Sequence, residues 1–133
     1  MIISITGGSG FIGKLLVASH LQGGDEVRVL SRHKDGEING VRYFQSDLTK
    51  SDCDLYDFVE GAEILYHCAG EINDESLMRK LHVDGTKQLV HASQGQVGRW
   101  VQLSSTGVYG PYRFGVVTEK SPERPSGCLL YTS

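Results

Sequence analysis

Seven consecutive residues near the start of the chain, Gly7-Gly8-Ser9-Gly10-Phe11-Ile12-Gly13, restrict its fold more than any other stretch. They follow Met1 to Thr6 (MIISIT), a nearly continuous apolar and β-branched run that reads as a strand buried on both faces. After them Phe11, Ile12, Leu15, Leu16 and Leu21 recur at helical spacing until Gly23-Gly24 stops the segment. Strand, glycine turn and helix make half of a βαβ unit. The turn satisfies GxGxxG through Gly8, Gly10 and Gly13, and GxxGxxG through Gly7, Gly10 and Gly13. In such a turn the first glycines permit the tight bend, Gly10 lets a pyrophosphate approach the backbone, and Gly13 lets the helix pack on the strand. Unpaired N–H groups at the helix N-terminus then face the anion. The glycines alone would also suit an ordinary flexible turn, but a strand before them and a helix after them favour dinucleotide binding.

The rest of the chain repeats the alternation. Glu26 to Leu30 (EVRVL) and Val41 to Gln45 (VRYFQ) read as strands, separated by a loop from His33 to Gly40 that is too short and polar for a crossover helix. Asp52 to Glu60 can form a short helix, and Glu63 to Cys68 (EILYHC) supplies a fourth strand. Between Asp74 and Ser93, Leu77, Leu81, Leu89 and Ala92 mark one face of a longer helix that Gly85 weakens without forbidding. Trp100 to Leu103 (WVQL) is a fifth strand running into Ser104-Ser105-Thr106. Strands alternating with helical patterns predict an α/β fold, a doubly wound parallel sheet of Rossmann type covered on both faces. From Gly110 to Gly127 no periodic segment follows, and a loop of that length is expected to be functional or incomplete.

A length of 133 residues fits one domain. The 13 Lys plus Arg are scattered against 16 Asp plus Glu, a net charge of −3, which argues against nucleic acid as a partner and leaves a small molecule as the expected ligand. Cys53, Cys68 and Cys128 have neither metal-ligand spacing nor an even count, so no metal is expected and a reducing, cytoplasmic compartment fits. His67 and Cys68 read as packed strand-end residues. No apolar run approaches the ~20 residues that span a bilayer, and no basic leader precedes the first strand, so no membrane association is expected.

The end of the second strand discriminates between nicotinamide cofactors. A carboxylate there would bind both ribose hydroxyls of NAD and repel a 2′-phosphate. Ser31 and Arg32 stand there instead. A guanidinium pairs with phosphate bidentately and stacks on adenine, which favours NADP over NAD; the other reading is a surface arginine after a strand.

The strings TGGSGFIG, SDL (Ser46 to Leu48), HCAG (His67 to Gly70), HVDGTKQLV (His82 to Val90) and SSTGVYG (Ser104 to Gly110) together resemble the extended short-chain dehydrogenase/reductase family. These are NAD(P)-dependent epimerases, dehydratases and reductases, including those acting on nucleotide sugars. The resemblance runs from Met1 to about Pro125. It implies that Gly7, Gly10, Phe11, Ile12 and Gly13 hold the cofactor with Ser31 and Arg32, that Asp47 and Leu48 border the adenine, and that Ala69-Gly70 pass along the nicotinamide-side ribose. Asp47 would serve equally as a helix cap. His82 stands where the family often has Asn, and no catalytic role is assigned to it. Aligned on Val108-Tyr109-Gly110, the family's active-site hydroxyl falls on Ser105, which would hydrogen-bond the substrate oxygen. A Tyr whose pKa is lowered by a Lys and the cofactor would exchange the proton, and hydride passes to or from the nicotinamide.

The family's Tyr and Lys come as YxxxK. Tyr131 lies 26 residues past Ser105, and the sequence reaches Ser133 before a Lys follows. CLLYTS, Cys128 to Ser133, is also what TGT CTC TTA TAC ACA TCT encodes, the end of a transposon used to prepare sequencing libraries. The expected organisation is therefore an incomplete NAD(P)-binding domain over 1–127, a non-native tail over 128–133, and a substrate domain that is absent; on the other reading the tail is native and Tyr131 is catalytic. The full-length parent is expected to be an oxidoreductase, epimerase or dehydratase of a nucleotide-sugar-like substrate, and a homodimer. The 133 residues alone are expected to be inactive. Alternatives are an NADP-dependent reductase of non-sugar ketones and a non-catalytic NAD(P)-sensing module.

Overall fold

The computed structural model describes residues 1–33, 38–111 and 115–125. Strand β1 (Ile2–Thr6) sends alternate side chains into two layers. On one face Ile3 and Ile5 pack with Val17 of helix α1 (Phe11–Gln22) and with Val27 and Val29 of β2 (Glu26–Ser31). The other face carries Leu30, Leu55, Phe58, Val59, Leu65 and Leu89 in a second cluster. Because both faces are covered, β1 is apolar or hydroxyl-bearing throughout, as a buried parallel strand should be.

Among the described residues the sheet has five parallel strands in the order β3-β2-β1-β4-β5, with β3 at Val41–Gln45, β4 at Ile64–His67 and β5 at Arg99–Gln102. Expected and observed strands agree to within a residue or two. The doubly wound parallel sheet is thus the architecture found.

Two helical regions differ from the sequence expectation. Helix α2 covers only Tyr56–Val59. Its start is set by Asp54, whose carboxylate accepts the Tyr56 N–H at 3.3 Å, and its end by the buried guanidinium of Arg28. Arg28 Nη1 donates to the carbonyls of Asp57 and Glu60 at 3.1 and 2.8 Å, which gives unpaired helix-end oxygens their partners. The long helix between Asp74 and Ser93 is not uniform. It is built from α3 (Glu75–Arg79), a π-helical turn (Lys80–Gly85) and α4 (Thr86–Ser93).

Gly85 closes that π-helical turn where the helix presses on the chain after β3. A Cβ there would lie 2.6 Å from the Leu48 carbonyl oxygen and 3.0 Å from the Leu48 Cβ. Alanine would add ~1 kcal/mol of helix propensity, but overpacking against backbone costs ~1–3 kcal/mol. Gly85→Ala is therefore expected to lower the urea unfolding midpoint; an unchanged or higher midpoint would show that the Leu48 segment moves aside freely.

Candidate cofactor site

Strand order reverses between β1 and β4, and the segments that leave their C-terminal ends lie side by side above the sheet. On one side Thr6 leads into Gly7, which has φ +69° and whose Cβ, if present, would lie 2.7 Å from the Ala69 nitrogen. Only glycine permits that conformation and that approach. Helix α1 then begins at once. A Cβ on Gly13 would run into the Gly7 carbonyl oxygen, so the helix reaches the strand end only without a side chain. Gly10 is the N-cap and gives no side-chain cap, and the first turn carries no acidic residue. The leading amides are left for an anion, and a Cβ at Gly10 would find only the Gly7 carbonyl within 4 Å, so there is room beside the backbone for a phosphate.

These elements line a cavity of about 500 Å³. Of the cofactor residues expected from sequence, Gly7, Gly10, Ser31, Arg32, Asp47, Leu48, Ala69 and Gly70 line it. Phe11, Ile12 and Gly13 are not among the lining residues: Gly13 is buried beneath the loop, while Phe11 is 87% exposed. Sequence reasoning missed Thr6, Lys14, Glu71, Leu77 and Leu81, which also line it. Lys14 was legible in principle, since it stands four residues after Gly10 in the first turn of α1.

At the β2 end of the cavity, Ser31 Oγ accepts the His33 N–H at 3.1 Å and Gln45 Nε2 donates to the Arg32 carbonyl at 3.3 Å, which orders the chain as it leaves β2. Asp47 is a turn residue, not a helix cap: its Oδ1 accepts the amide and the hydroxyl of Thr49 at 2.9 and 2.7 Å. Burial works against its charge, but these hydrogen bonds, with Lys50 and Arg32 nearby, outweigh burial and hold its carboxyl below the usual range.

Behind the loop lies a polar column. Thr6 Oγ1 accepts the Ala69 N–H at 3.2 Å and lies 2.6 Å from His67 Nδ1, while His67 Nε2 lies 2.9 Å from Thr86 Oγ1. A consistent assignment has the Thr6 hydroxyl donating to Nδ1 and Nε2–H donating to Thr86, which requires a neutral ring. His67 is 3% exposed, and burial, with His82 adding to it, pushes its pKa down to about 4. It is a structural histidine, as expected. His82 Nε2 accepts the Glu71 N–H at 2.8 Å.

Ser105 is half-buried, caps the short 3₁₀ turn Thr106–Tyr109, and accepts the Gly107 N–H at 3.1 Å. It is not among the cavity's lining residues. Tyr131 and the tail over 128–133 lie outside the described residues. Among the described residues no group of three or more His, Cys, Asp or Glu is placed to hold a metal ion, and no helix is long and apolar enough to cross a membrane.

A doubly wound sheet with a glycine loop, a bare helix N-terminus and a cavity at its switch point defines a dinucleotide-binding α/β domain. Comparison with known proteins agrees. The chain matches the NAD dependent epimerase/dehydratase family over residues 3–128. It is 29% identical to a dTDP-glucose 4,6-dehydratase from Streptomyces niveus, over 95% of this chain and 44% of that protein. It is 33% identical to a 3-beta-hydroxysteroid dehydrogenase from Mycolicibacterium neoaurum, over 80% of this chain and 32% of that protein. Among solved structures it superposes on a short-chain dehydrogenase/reductase superfamily protein from Agrobacterium tumefaciens with bound NAD, with a TM-score of 0.86 and 27% identity, over 99% of this chain and 42% of that one. It also superposes on MoeE5 in complex with UDP-glucose and NAD, with a TM-score of 0.84 and 26% identity, over 98% and 44% of the two chains. The chain belongs to the NAD dependent epimerase/dehydratase family, within the short-chain dehydrogenase/reductase superfamily. It spans under half the length of these relatives.

His67 generates a pH prediction. Unfolded, a histidine takes up a proton near pH 6.5; folded, His67 does so only near 4. Between those values the unfolded state binds more protons, so stability is full above about 6.5 and declines as pH falls toward 4, by on the order of 3 kcal/mol. In His67→Gln, urea unfolding should depend less on pH in that window. Parallel profiles for the two proteins would mean that His67 takes up its proton as readily in the fold as in the unfolded chain, and would overturn the lowered pKa.

Proposed function

We propose that the protein is an NAD(P)-dependent oxidoreductase, epimerase or dehydratase acting at a hydroxyl or carbonyl carbon of a nucleotide-sugar-like substrate, and that this chain supplies its cofactor-binding half. The observation that carries the reading is the bare N-terminus of α1 opening onto the switch-point cavity between Gly7 and Ala69. Bound there, a nicotinamide cofactor would supply hydride exchange with the substrate carbon. The relation to a dTDP-glucose dehydratase and to a protein that binds UDP-glucose supports the sugar-nucleotide class. The relation to a 3-beta-hydroxysteroid dehydrogenase supports a second reading, in which the substrate is a non-sugar alcohol or ketone.

Within this chain the roles divide by position. The amides of α1 and the side chain of Lys14 bind the pyrophosphate. Arg32 and Ser31 meet the adenosine ribose, and the guanidinium would accept a 2′-phosphate that a carboxylate would repel, so the cofactor proposed is NADP in preference to NAD. Ser105 keeps its own proton to donate, because its oxygen is the acceptor in the bond from Gly107, and that proton would orient the reacting substrate oxygen. Proton exchange falls to a tyrosine activated by a lysine four residues later, as the family resemblance implies.

In the full-length protein NADP should bind more tightly than NAD, and Arg32→Ala should remove most of the difference, ~10-fold or more for a charge-assisted phosphate contact. Tighter binding of NAD by the unaltered protein would overturn the phosphate role of Arg32. Ser105→Ala should lower kcat by ~10²–10⁴ while leaving cofactor Kd nearly unchanged; turnover close to the parent's would move the role to Ser104 or Thr106.

A further inference from the structure

The strip Ala69-Gly70-Glu71 forms one wall of the cavity and is held at both ends by side chains. At one end the Ala69 N–H donates to Thr6 Oγ1 at 3.2 Å; at the other the Glu71 N–H donates to His82 Nε2 at 2.8 Å. The two holds differ in kind. A threonine oxygen accepts at any pH, whereas an imidazole nitrogen accepts only while it carries no proton. The second hold therefore requires a neutral His82 with its proton on Nδ1. The ring also stands close behind the strip, since a Cβ on Gly70 would lie 3.6 Å from Nε2. It is presented by the π-helical turn Lys80–Gly85, a form of helix that recurs at functional sites.

We propose that His82 is a positioning residue for the dinucleotide: its neutral ring fixes the Glu71 end of the wall, and its protonation turns that acceptor into a donor, releases the Glu71 N–H and weakens cofactor binding. The proposal rests on reading the cavity as the dinucleotide site. Among the described residues the Glu71 carboxylate, on the strip itself, acts on the ring, and a charge on the ring in turn opposes protonation of His67 at the end of β4. Half-burial lowers the His82 pKa below 6.5, with the Glu71 carboxylate pulling the other way. The hold is therefore intact at neutral and alkaline pH and is lost as pH falls through that lowered pKa. An asparagine at this position offers an amide oxygen that accepts the same N–H without titrating.

The test is calorimetric titration of the full-length protein with NAD, which has no 2′-phosphate to titrate in the same range, from pH 8 to pH 5. In the parent, Kd should weaken by ~10-fold on acidification, the usual cost of one lost hydrogen bond with its acceptor turned to a donor. His82→Asn should hold a nearly constant Kd over that range, and His82→Ala should bind weakly throughout. Nitrogen-15 spectra of the imidazoles give a readout independent of ligand: His82 should be the Nδ1–H tautomer at pH 8. Should either variant fail to fold, that spectrum decides alone. Parallel pH profiles for the parent and His82→Asn, or an Nε2–H tautomer, would overturn the role of His82 while leaving the site intact. Absence of binding of both NAD and NADP at every pH would overturn the dinucleotide reading, and this inference with it.

Discussion

Helix α1 can meet the end of β1 only because nothing projects from Gly13 toward the Gly7 carbonyl oxygen. The approach aims the helix amides at the space above the sheet, and it places that space between the first and fourth strands, where strand order reverses. Every other part of the site is arranged around this junction. The β2 end brings Ser31 and Arg32 to one side of it, the β4 end brings Ala69 and Gly70 to the other, and Lys14 comes with the helix itself.

The junction is backed by polar groups that are satisfied rather than excluded. Ser4 Oγ donates to the Phe58 carbonyl at 2.6 Å, Arg28 takes the carbonyls at the end of α2, and Thr6, His67 and Thr86 form a hydroxyl-imidazole-hydroxyl column beside the cavity. Among the described residues no buried side-chain nitrogen or oxygen lacks a partner. A fully satisfied network of this kind costs little and resists alternative packings, because displacing any member strands another in a low-dielectric interior. For the dinucleotide site proposed here, that rigidity is useful: less ordering is left for the moment of binding.

Much of this was legible in the chain. Strand, glycine turn and helix follow one another within the first 22 residues, and local chemistry is enough to define them. The strands β2 to β5 are short apolar runs whose ends fall where sequence places them. Helices were harder. Helix α2 starts later than sequence suggests: Asp54, one residue before its N-cap Leu55, accepts the Tyr56 N–H, a local side-chain bond that competes with the helix. Gly85 reads in sequence as a weak point in a helix, but in space it is a contact, with Leu48 lying where a side chain would go. Asp47 reads in sequence as bordering the adenine or as a helix cap, and its bonds to Thr49 make it a turn residue instead of a cap.

What the sequence determined by itself is whatever rests on neighbours along the chain: a glycine loop between a strand and a helix, a parallel α/β alternation, and the exchange of a carboxylate for Ser31-Arg32 at the second strand's end. What only the tertiary structure decided is whatever joins residues distant in sequence. His82 meets the backbone of Glu71, His67 bridges Thr6 and Thr86, and Arg28 reaches Glu60 at the end of α2 across a sequence separation of 32. No local propensity encodes such pairs. A side chain's hydrogen-bonding capacity can be read from its type, but the partner is chosen when packing removes water and leaves one group within reach.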